Sequence, residues 1–498
     1  MKNIGFAISV VVAGACASSV CAQSMESLWT NNCAKCHGAN GEGGGAGTRT
    51  LLTDELRGQD KDRPFFDAIR DGVPNAGMPA FSETLKGPQI WGLVNYLREL
   101  QNSAYRKSGG KPKEVKGIFT SKYHVYRIEK VIESGLDTPW AVDFLPSGEM
   151  ITTERPGMVR VFVRGTDGKP DVLSAAVMGT PEVRNRGQGG LMDVAVHPDY
   201  AKAGNGWIYL AFSDGIEDGA RNLGMTKIVR GRLKAVKATP GSADSYEWVD
   251  EQTIFMARKE DYLPSDHHFG SRIVFTPPVG GKRHMYFSIG ERGYAQLAQD
   301  LTKPNGKIYR LYDDGTLPPD NPFIGGKPGT YESIFSFGHR NPQGLVLGTD
   351  GTIWDTEHAP RGGDELNIVK PGANYGWPLV SFGIDYSGAA FKEPWPKADD
   401  PKQKDIEMPV YRWMPSIGAC GLDIGKGGVF SHWTGDLFAG GLSGANVDRI
   451  RVKDGKLVER EELLYGKGRV RDVVTGPDGS IYVVLNGPDK VIRLSPSK

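Results

Sequence analysis

Two patterns of apolar and polar positions divide the chain. Residues 23–102 follow a helical rhythm, with a short amphipathic segment over 24–32. A longer one over 88–100 places Ile90, Leu93, Val94 and Leu97 on one face, with Trp91 and Tyr96 alongside. From Tyr123 onward the rhythm changes to short apolar runs separated by Pro, Asp and Gly. The unit is an apolar strand, a turn, and a second strand ending in small or acidic residues; its first copy runs from Trp140 to Glu154. Further copies begin near Leu191, Ser271, Gly344, Gly421 and Arg471, the last passing through the turn Gly476-Pro477-Asp478-Gly479. Six irregular repeats of this kind predict a six-bladed β-propeller with long insertions between some blades. The strand over 123–132 is expected to complete the last blade and close the ring. A series of β-sandwiches is the competing architecture, and repetition without a Greek-key rhythm favours the propeller. The fold class is therefore mainly β, a propeller over 121–498 preceded by a small all-α domain over 23–102. Residues 103–120, rich in Lys, Gly and Ser, read as a linker.

At 498 residues the chain exceeds one core, which agrees with two domains. Its 67 Gly and 32 Pro fit a fold with many tight turns. Lys plus Arg (60) nearly cancel Asp plus Glu (59), so charge gives no reason to expect a nucleic-acid or membrane-surface partner. Lys2, an apolar run over 4–15 and the small-residue site Val20-Cys21-Ala22 read as a secretory signal over 1–22, implying a periplasmic mature chain. That run is too short to span a bilayer comfortably, and no other stretch is apolar enough, so no membrane span is expected in the mature protein. Ala13-Gly14-Ala15-Cys16 faintly resembles a lipoprotein box and leaves lipid anchoring as an alternative.

Of five cysteines, Cys16 and Cys21 lie in the signal, Cys420 stands alone, and only Cys33 and Cys36 are paired by spacing. Cys33-Ala34-Lys35-Cys36-His37 is the C-x-x-C-H pattern of covalent haem attachment. Both thiols can reach the vinyl groups of one haem, and His37 then ligates the iron. Met78, in Asn75-Ala76-Gly77-Met78-Pro79-Ala80-Phe81, is the candidate second ligand; a Met/His pair raises the potential and suits electron transfer. A thioredoxin-like thiol pair is the rival, but no βαβ pattern surrounds it. Residues 23–102 thus resemble the small c-type cytochromes carrying haem c.

Several later stretches are unlike ordinary blade turns. They are Gly187-Gln188-Gly189-Gly190-Leu191, His267-His268-Phe269-Gly270-Ser271-Arg272, Ser288-Ile289-Gly290-Glu291 and Gly338-His339-Arg340-Asn341-Pro342-Gln343-Gly344. Glu357-His358-Ala359-Pro360, Asp364-Glu365-Leu366-Asn367, Asn374-Tyr375-Gly376-Trp377 and Arg469-Val470-Arg471-Asp472 follow in order. As an ordered set they resemble the glucose/sorbosone dehydrogenase family, six-bladed quinoproteins that use pyrroloquinoline quinone (PQQ) and calcium. PQQ is a planar quinone with three carboxylates, so its pocket needs fixed cations and planar hydrogen-bonding forks. The resemblance implies that Arg340, Asn341, Arg469 and Arg471 hold PQQ, with Gln188 and His358 beside it. It implies that Arg340 also stabilises charge developing on the quinone oxygen. His268 is implied as the base that takes the proton from an anomeric hydroxyl while hydride leaves C1 for the quinone.

Further roles rest on the same resemblance. Gln188 and Gln296 would bind sugar hydroxyls, and Trp413 would form an aromatic wall. The carbonyls of Ala359 and Pro360 would hold Ca2+ at PQQ, while Glu365, Tyr375 and Asp385 would hold a second, structural Ca2+. The chain departs from the family pattern at three places: His267 stands where Asp or Asn is usual, His358 where Gln is usual, and Ser443 where a cofactor-binding Lys is common. The expected protein is a periplasmic quinohaemoprotein that oxidises C1 of an aldose or sugar aldehyde. Electrons would pass to the fused haem c and on to an external acceptor such as a cytochrome or another respiratory component. A calcium-dependent lactonase on a similar propeller would need a carboxylate and Asn cage where this sequence places Arg and His. A non-catalytic ligand-binding propeller is disfavoured by the retained His268, Arg340 and Asn341. Sugar specificity is expected in long loops such as 386–408.

Overall fold

The computed structural model describes residues 23–497 except 48, 166–170, 220, 237–244, 393–394, 398–399 and 401–402, so the expected signal over 1–22 lies outside the described residues. The N-terminal part carries helices α1 (Met25–Asn32), α2 (Ala34–His37), α3 (Asp62–Asp71) and α4 (Gly87–Lys107). Ser24 caps α1, its hydroxyl accepting the Ser27 N–H at 3.2 Å. α4 begins with Pro88 in its first turn, and the Lys86 N–H donates to the Gln89 side chain at 2.9 Å.

The remainder is a six-bladed propeller of antiparallel sheets. The inner strands of blades 1 to 6 are Pro139–Phe144, Leu191–Val196, Ile273–Val279, Pro342–Leu347, Ala419–Ile424 and Arg469–Thr475. Each contacts the next around the axis, and the sixth contacts the first. The second strands are Met150–Glu154, Ile208–Asp218, Lys282–Ile289, Ile353–Glu357, Leu437–Gly441 and Ile481–Asn486. The expected closure is present: Val125–Ile132 pairs with the C-terminal strand Lys490–Pro496, setting Val491 against Ile132 and Pro496 against Tyr126. All six sequence repeats coincide with inner strands. Most of their residues are buried, as are the second strands, and these paired apolar runs produced the signal.

Arg272 pins the ring at its axis. Its guanidinium pairs with Asp193 of blade 2 at 2.6 Å and Asp472 of blade 6 at 2.7 Å. It also donates to the Gln343 carbonyl at 3.0 Å and the Arg471 carbonyl at 3.3 Å, and lies 4.4 Å over the Trp140 ring. One buried side chain therefore joins five blades.

The stretch 103–120, expected as a linker, is structured in the parts that matter for docking. Residues 103–107 complete α4, whose Arg106 pairs with Glu462 and sits 3.9 Å over the Tyr465 ring. Strands Lys113–Val115 and Ile118–Thr120 form a hairpin on the edge of the last blade, turning through Lys116 and Gly117, both at positive φ. Phe119 is the buried anchor, stacked on Tyr126. Lys, Gly and Ser are what a turn and a solvent-facing edge strand require, so composition alone read as linker.

α4 is buried on nearly every side, including Asn95, Arg98 and Gln101. Its apolar face packs on α1, and the opposite face meets the insertion between the last two strands of blade 4, where Val380, Phe382, Ile384 and Ile406 join the same core. The 386–408 loop, expected to set sugar specificity, is instead engaged here: Ala389 bridges to Ser24, and Trp395 stacks on Phe66 at 5.9 Å.

Candidate active site

Antiparallel pairing brings the start of each inner strand and the end of each second strand to one end of the propeller. Nearly all the expected chemistry collects there. Gln188 precedes blade 2's inner strand; His268 precedes and Glu291 follows the first two strands of blade 3. Arg340 and Asn341 precede blade 4's inner strand, and His358, Ala359 and Pro360 follow its second strand. Gly418 and Ser443 flank the equivalent strands of blade 5, while Arg469 and Arg471 open blade 6.

The His268 segment is strained, with His268 at φ +52°, Gly270 at +64° and Ser271 at +99°. It is held because the Gly270 N–H donates to the Asn341 side chain at 3.2 Å, the Ser271 N–H to the Ser288 carbonyl at 2.8 Å, and the His268 N–H to Gln188 Oε1 at 2.9 Å. Gly290 permits this approach: a Cβ there would lie 2.3 Å from the His268 carbonyl and 2.7 Å from Asn341 Oδ1. His268 Nδ1 is bonded to Glu291. That partner fixes the proton on Nδ1 and leaves Nε2 as the free base. Burial pulls the His268 pKa below 6.5, opposed by Glu291 and assisted by Arg340 and His267. The imidazole is therefore neutral at pH 7. Glu291 had no assigned role in the sequence; it stands 23 positions downstream and only the fold brings it to the ring.

Arg340 is buried, donates from Nη1 to the His358 carbonyl at 2.7 Å, and keeps Nε buried without a partner among the described residues. His358 Nδ1 is likewise buried and unpartnered. Burial and then the charges of Arg340, His268, Arg471 and Arg469 hold the His358 pKa well below the usual imidazole range. The guanidinium groups of Arg340, Arg471 and Arg469 thus share one corner with His358. Ser443 belongs to the same corner, because its N and Oγ and the His358 ring all lie within 3.3 Å of a Cβ placed on Gly418. Orphaned donors in a positive corner fit a planar polycarboxylate such as PQQ.

Beside Arg340 lies a cavity of about 10 Å³, lined among others by Glu357, Ala359, Pro360, Glu365 and Tyr375. That is room for about one water or ion. His339, Asp355 and Glu357 offer ligand atoms within 4.8 Å of one another, and Asn367 donates to Glu365 at 3.3 Å. Asp355 Oδ1 and Asn367 Oδ1 are buried without partners. Burial, then the charge of Glu357, pushes Asp355 and Glu365 well above the usual carboxylate range. Such crowded hard oxygens suit a bound cation. His339, Glu357 and Asn367 lie in motifs that carried no role for them, and Asp355 lies in an ordinary blade strand, so none of the four was assigned from the sequence.

Trp413 is only 1% exposed, packs in the core between blades 4 and 5, and donates its indole N–H to Asp448 at 2.7 Å; with Ser416 and Ser443 it lines a cavity of about 170 Å³. Asp385 sits in a surface turn, accepting the Ser387 N–H at 2.8 Å, and is not among the residues lining the Glu365 cavity. Gln296 is exposed on the 3₁₀ turn Ala295–Gln299. In the N-terminal domain Cys33 and Cys36 are half-buried, at the start of α2 and within it. His37 has a buried, unpartnered Nδ1 and a pKa lowered by burial. Met78 is half-buried in a bridge with Val73.

Fold and site together define a quinoprotein-type propeller oxidoreductase carrying an N-terminal cytochrome c domain. Residues 136–493 match the family model described as Glucose / Sorbosone dehydrogenase, and residues 21–97 match that described as Cytochrome C oxidase, cbb3-type, subunit III. The chain belongs to the glucose/sorbosone dehydrogenase family. It is 38% identical over 371 residues to aldose sugar dehydrogenase YliI of Escherichia coli (strain K12), covering 74% of this chain and 92% of that protein. It is 26% identical to quinoprotein glucose dehydrogenase B of Acinetobacter calcoaceticus, covering 72% and 84%. The apo-form crystal structure of the Escherichia coli soluble aldose sugar dehydrogenase superposes with a TM-score of 0.64 at 36% identity, covering 75% of this chain and all of that one. The PQQ-bound form of the Streptomyces coelicolor aldose sugar dehydrogenase gives 0.55 at 25% identity, covering 75% and 98%.

Proposed function

We propose that the protein oxidises the C1 hydroxyl of an aldose, or a sugar aldehyde, with PQQ and calcium at the propeller site and haem c as the internal electron store. The observation that carries this reading is the oriented His268–Glu291 pair set beside the unpartnered Arg340 donor. When bound, PQQ supplies a two-electron acceptor and calcium a Lewis acid. The side chains do the rest. His268 Nε2 removes the hydroxyl proton, and Glu291 stabilises the imidazolium that forms. Arg340 supplies fixed positive charge where negative charge develops. Gln188 accepts the His268 N–H through its oxygen, which leaves its amide to donate to a sugar hydroxyl.

The Ala359 and Pro360 carbonyls would hold the cofactor's calcium, and Glu365 with Tyr375 the structural ion; all four residues line the cavity beside Arg340. Cys33 and Cys36 attach the haem, and His37 with Met78 ligates its iron. Oxidation of one sugar releases two electrons while one iron stores one, so an outside carrier empties the store twice per turnover. The domain division is 23–102 for the haem unit and 121–498 for the propeller, with export to the periplasm by residues 1–22. No described helix is long and apolar enough to cross a membrane.

The test is to load the haem-containing protein with PQQ and calcium and present a panel of aldoses while recording haem absorbance. Sugar-dependent haem reduction supports the reading. PQQ binding without oxidation of any sugar makes this a ligand-binding propeller, and lactone hydrolysis with calcium alone makes it a lactonase.

A further inference from the structure

The haem domain touches the propeller at the loop that follows blade 4's second strand. Glu99 of α4 forms a two-pronged pair with Arg361, both contacts 2.7 Å. Asn95 packs so closely on Gly362 that a Cβ there would lie 2.5 Å from Asn95 Oδ1. The same Asn95 donates from Nδ2 to the Phe382 carbonyl at 2.8 Å, and Trp91 donates to that carbonyl at 3.0 Å. Segment 382–386 in turn grips the loop: Arg361 and Ile384 exchange backbone bonds of 3.2 and 2.9 Å, and the Tyr386 hydroxyl reaches the Ala359 carbonyl at 3.4 Å. α4 therefore braces residues 359–363 both directly and through their nearest neighbour.

We propose that α4 is a positioning element of the cofactor site, with Asn95 and Glu99 holding the 359–363 loop so that cofactor loading and haem-domain docking are coupled. The proposal rests on the reading that Ala359 and Pro360 turn their carbonyls to the calcium at PQQ. Two such carbonyls can serve one cation only if the loop keeps a single conformation, and a loop with glycines at 362 and 363, both at positive φ, does not impose one by itself. The brace supplies that order. Coupling of this kind is reciprocal: whatever α4 adds to cofactor affinity, the bound cofactor adds to docking of the haem domain. The haem domain is then a resident part of the active site and not a carrier on a tether. The other ion pairs across the same interface, Asp62 with Arg412 and Arg106 with Glu462, do not touch the loop and provide the control.

The test uses the full-length, haem-loaded protein as wild type, as the double variant Asn95→Ala/Glu99→Ala, and as Arg106→Ala. Amide hydrogen exchange at Ala359, Arg361, Gly362 and Gly363 is measured without PQQ. PQQ affinity is then measured by fluorescence titration in calcium. The double variant is expected to exchange these amides faster and bind PQQ more weakly, each by about 5–150-fold, while Arg106→Ala stays near wild type. An unchanged haem spectrum and unchanged far-ultraviolet dichroism certify that both domains remain folded. Loop exchange within twofold of wild type in the double variant overturns the proposal, as does an equal effect from Arg106→Ala. Faster exchange with unchanged PQQ affinity overturns the coupling. A wild-type protein that takes up no PQQ overturns the sugar-dehydrogenase reading instead, and the exchange data still decide whether α4 braces the loop.

Discussion

At the scale of single residues, the site is an imidazole poised by its surroundings. His268→Ala should lower turnover by about two to four orders of magnitude while PQQ still binds, since the proposed cofactor contacts lie on other blades. Steady-state kinetics alongside a PQQ titration check both halves. Burial holds the His268 pKa below 6.5, so the neutral base persists into mild acid and kcat/KM should fall only as pH drops through a value below 6.5. Glu291 opposes that shift. Glu291→Gln should therefore move the acid limb to still lower pH, and also slow turnover because an amide no longer selects the tautomer. An acid limb that stays in place in this variant would count against the pairing. Ser443 lies beside His358 at the cationic corner, where one more charged donor has room to matter. Ser443→Lys should tighten PQQ binding by about 1.5–3 kcal/mol, roughly 10–150-fold in Kd by titration.

At the scale of elements, each blade contacts its neighbours through its inner strand and contributes loops to one end, so the ring must keep its inner strands in place for the loops to meet. Arg272 is the central fastener. Arg272→Met leaves Asp193 and Asp472 buried without their cation, and the expected loss is about 3–5 kcal/mol, seen as a lower urea midpoint. A loss under about 1 kcal/mol would show that strand packing alone holds the axis. α4 teaches the complementary lesson. Its apolar face was legible from Ile90, Leu93, Val94 and Leu97, whereas burial of Asn95 and Arg98 was not, because those polar residues are satisfied by partners far along the chain: Phe382 for Asn95, and Asp62 for Arg98.

At the scale of the whole molecule, docking changes what the fusion means. Three ion pairs and a shared apolar core hold the haem domain against blades 4 and 5, next to the 359–363 loop. An aromatic series from His37, the proposed haem ligand, through Trp29 to Tyr96, with ring centroids 6.4 and 6.0 Å apart, runs towards the Glu99–Arg361 pair. Sugar-driven haem reduction in anaerobic stopped-flow should accordingly proceed at a rate independent of protein concentration. A rate that rises with concentration would assign the transfer to encounters between chains.

Local pattern determined the architecture. The haem attachment motif, the six strand–turn–strand repeats and the ordered set of site motifs were all readable, because turn chemistry, strand burial and haem attachment impose requirements on neighbouring residues. What only the tertiary structure decided depends on residues far apart in the chain. Glu291 meets His268, Trp413 packs in the core between blades 4 and 5, and Ala389 and Trp395 of the 386–408 loop meet the haem domain. A polar or aromatic side chain has the same chemistry in a core, an interface or a site. Its role is set by the partner that satisfies it, and that partner is chosen when the ring closes and α4 docks.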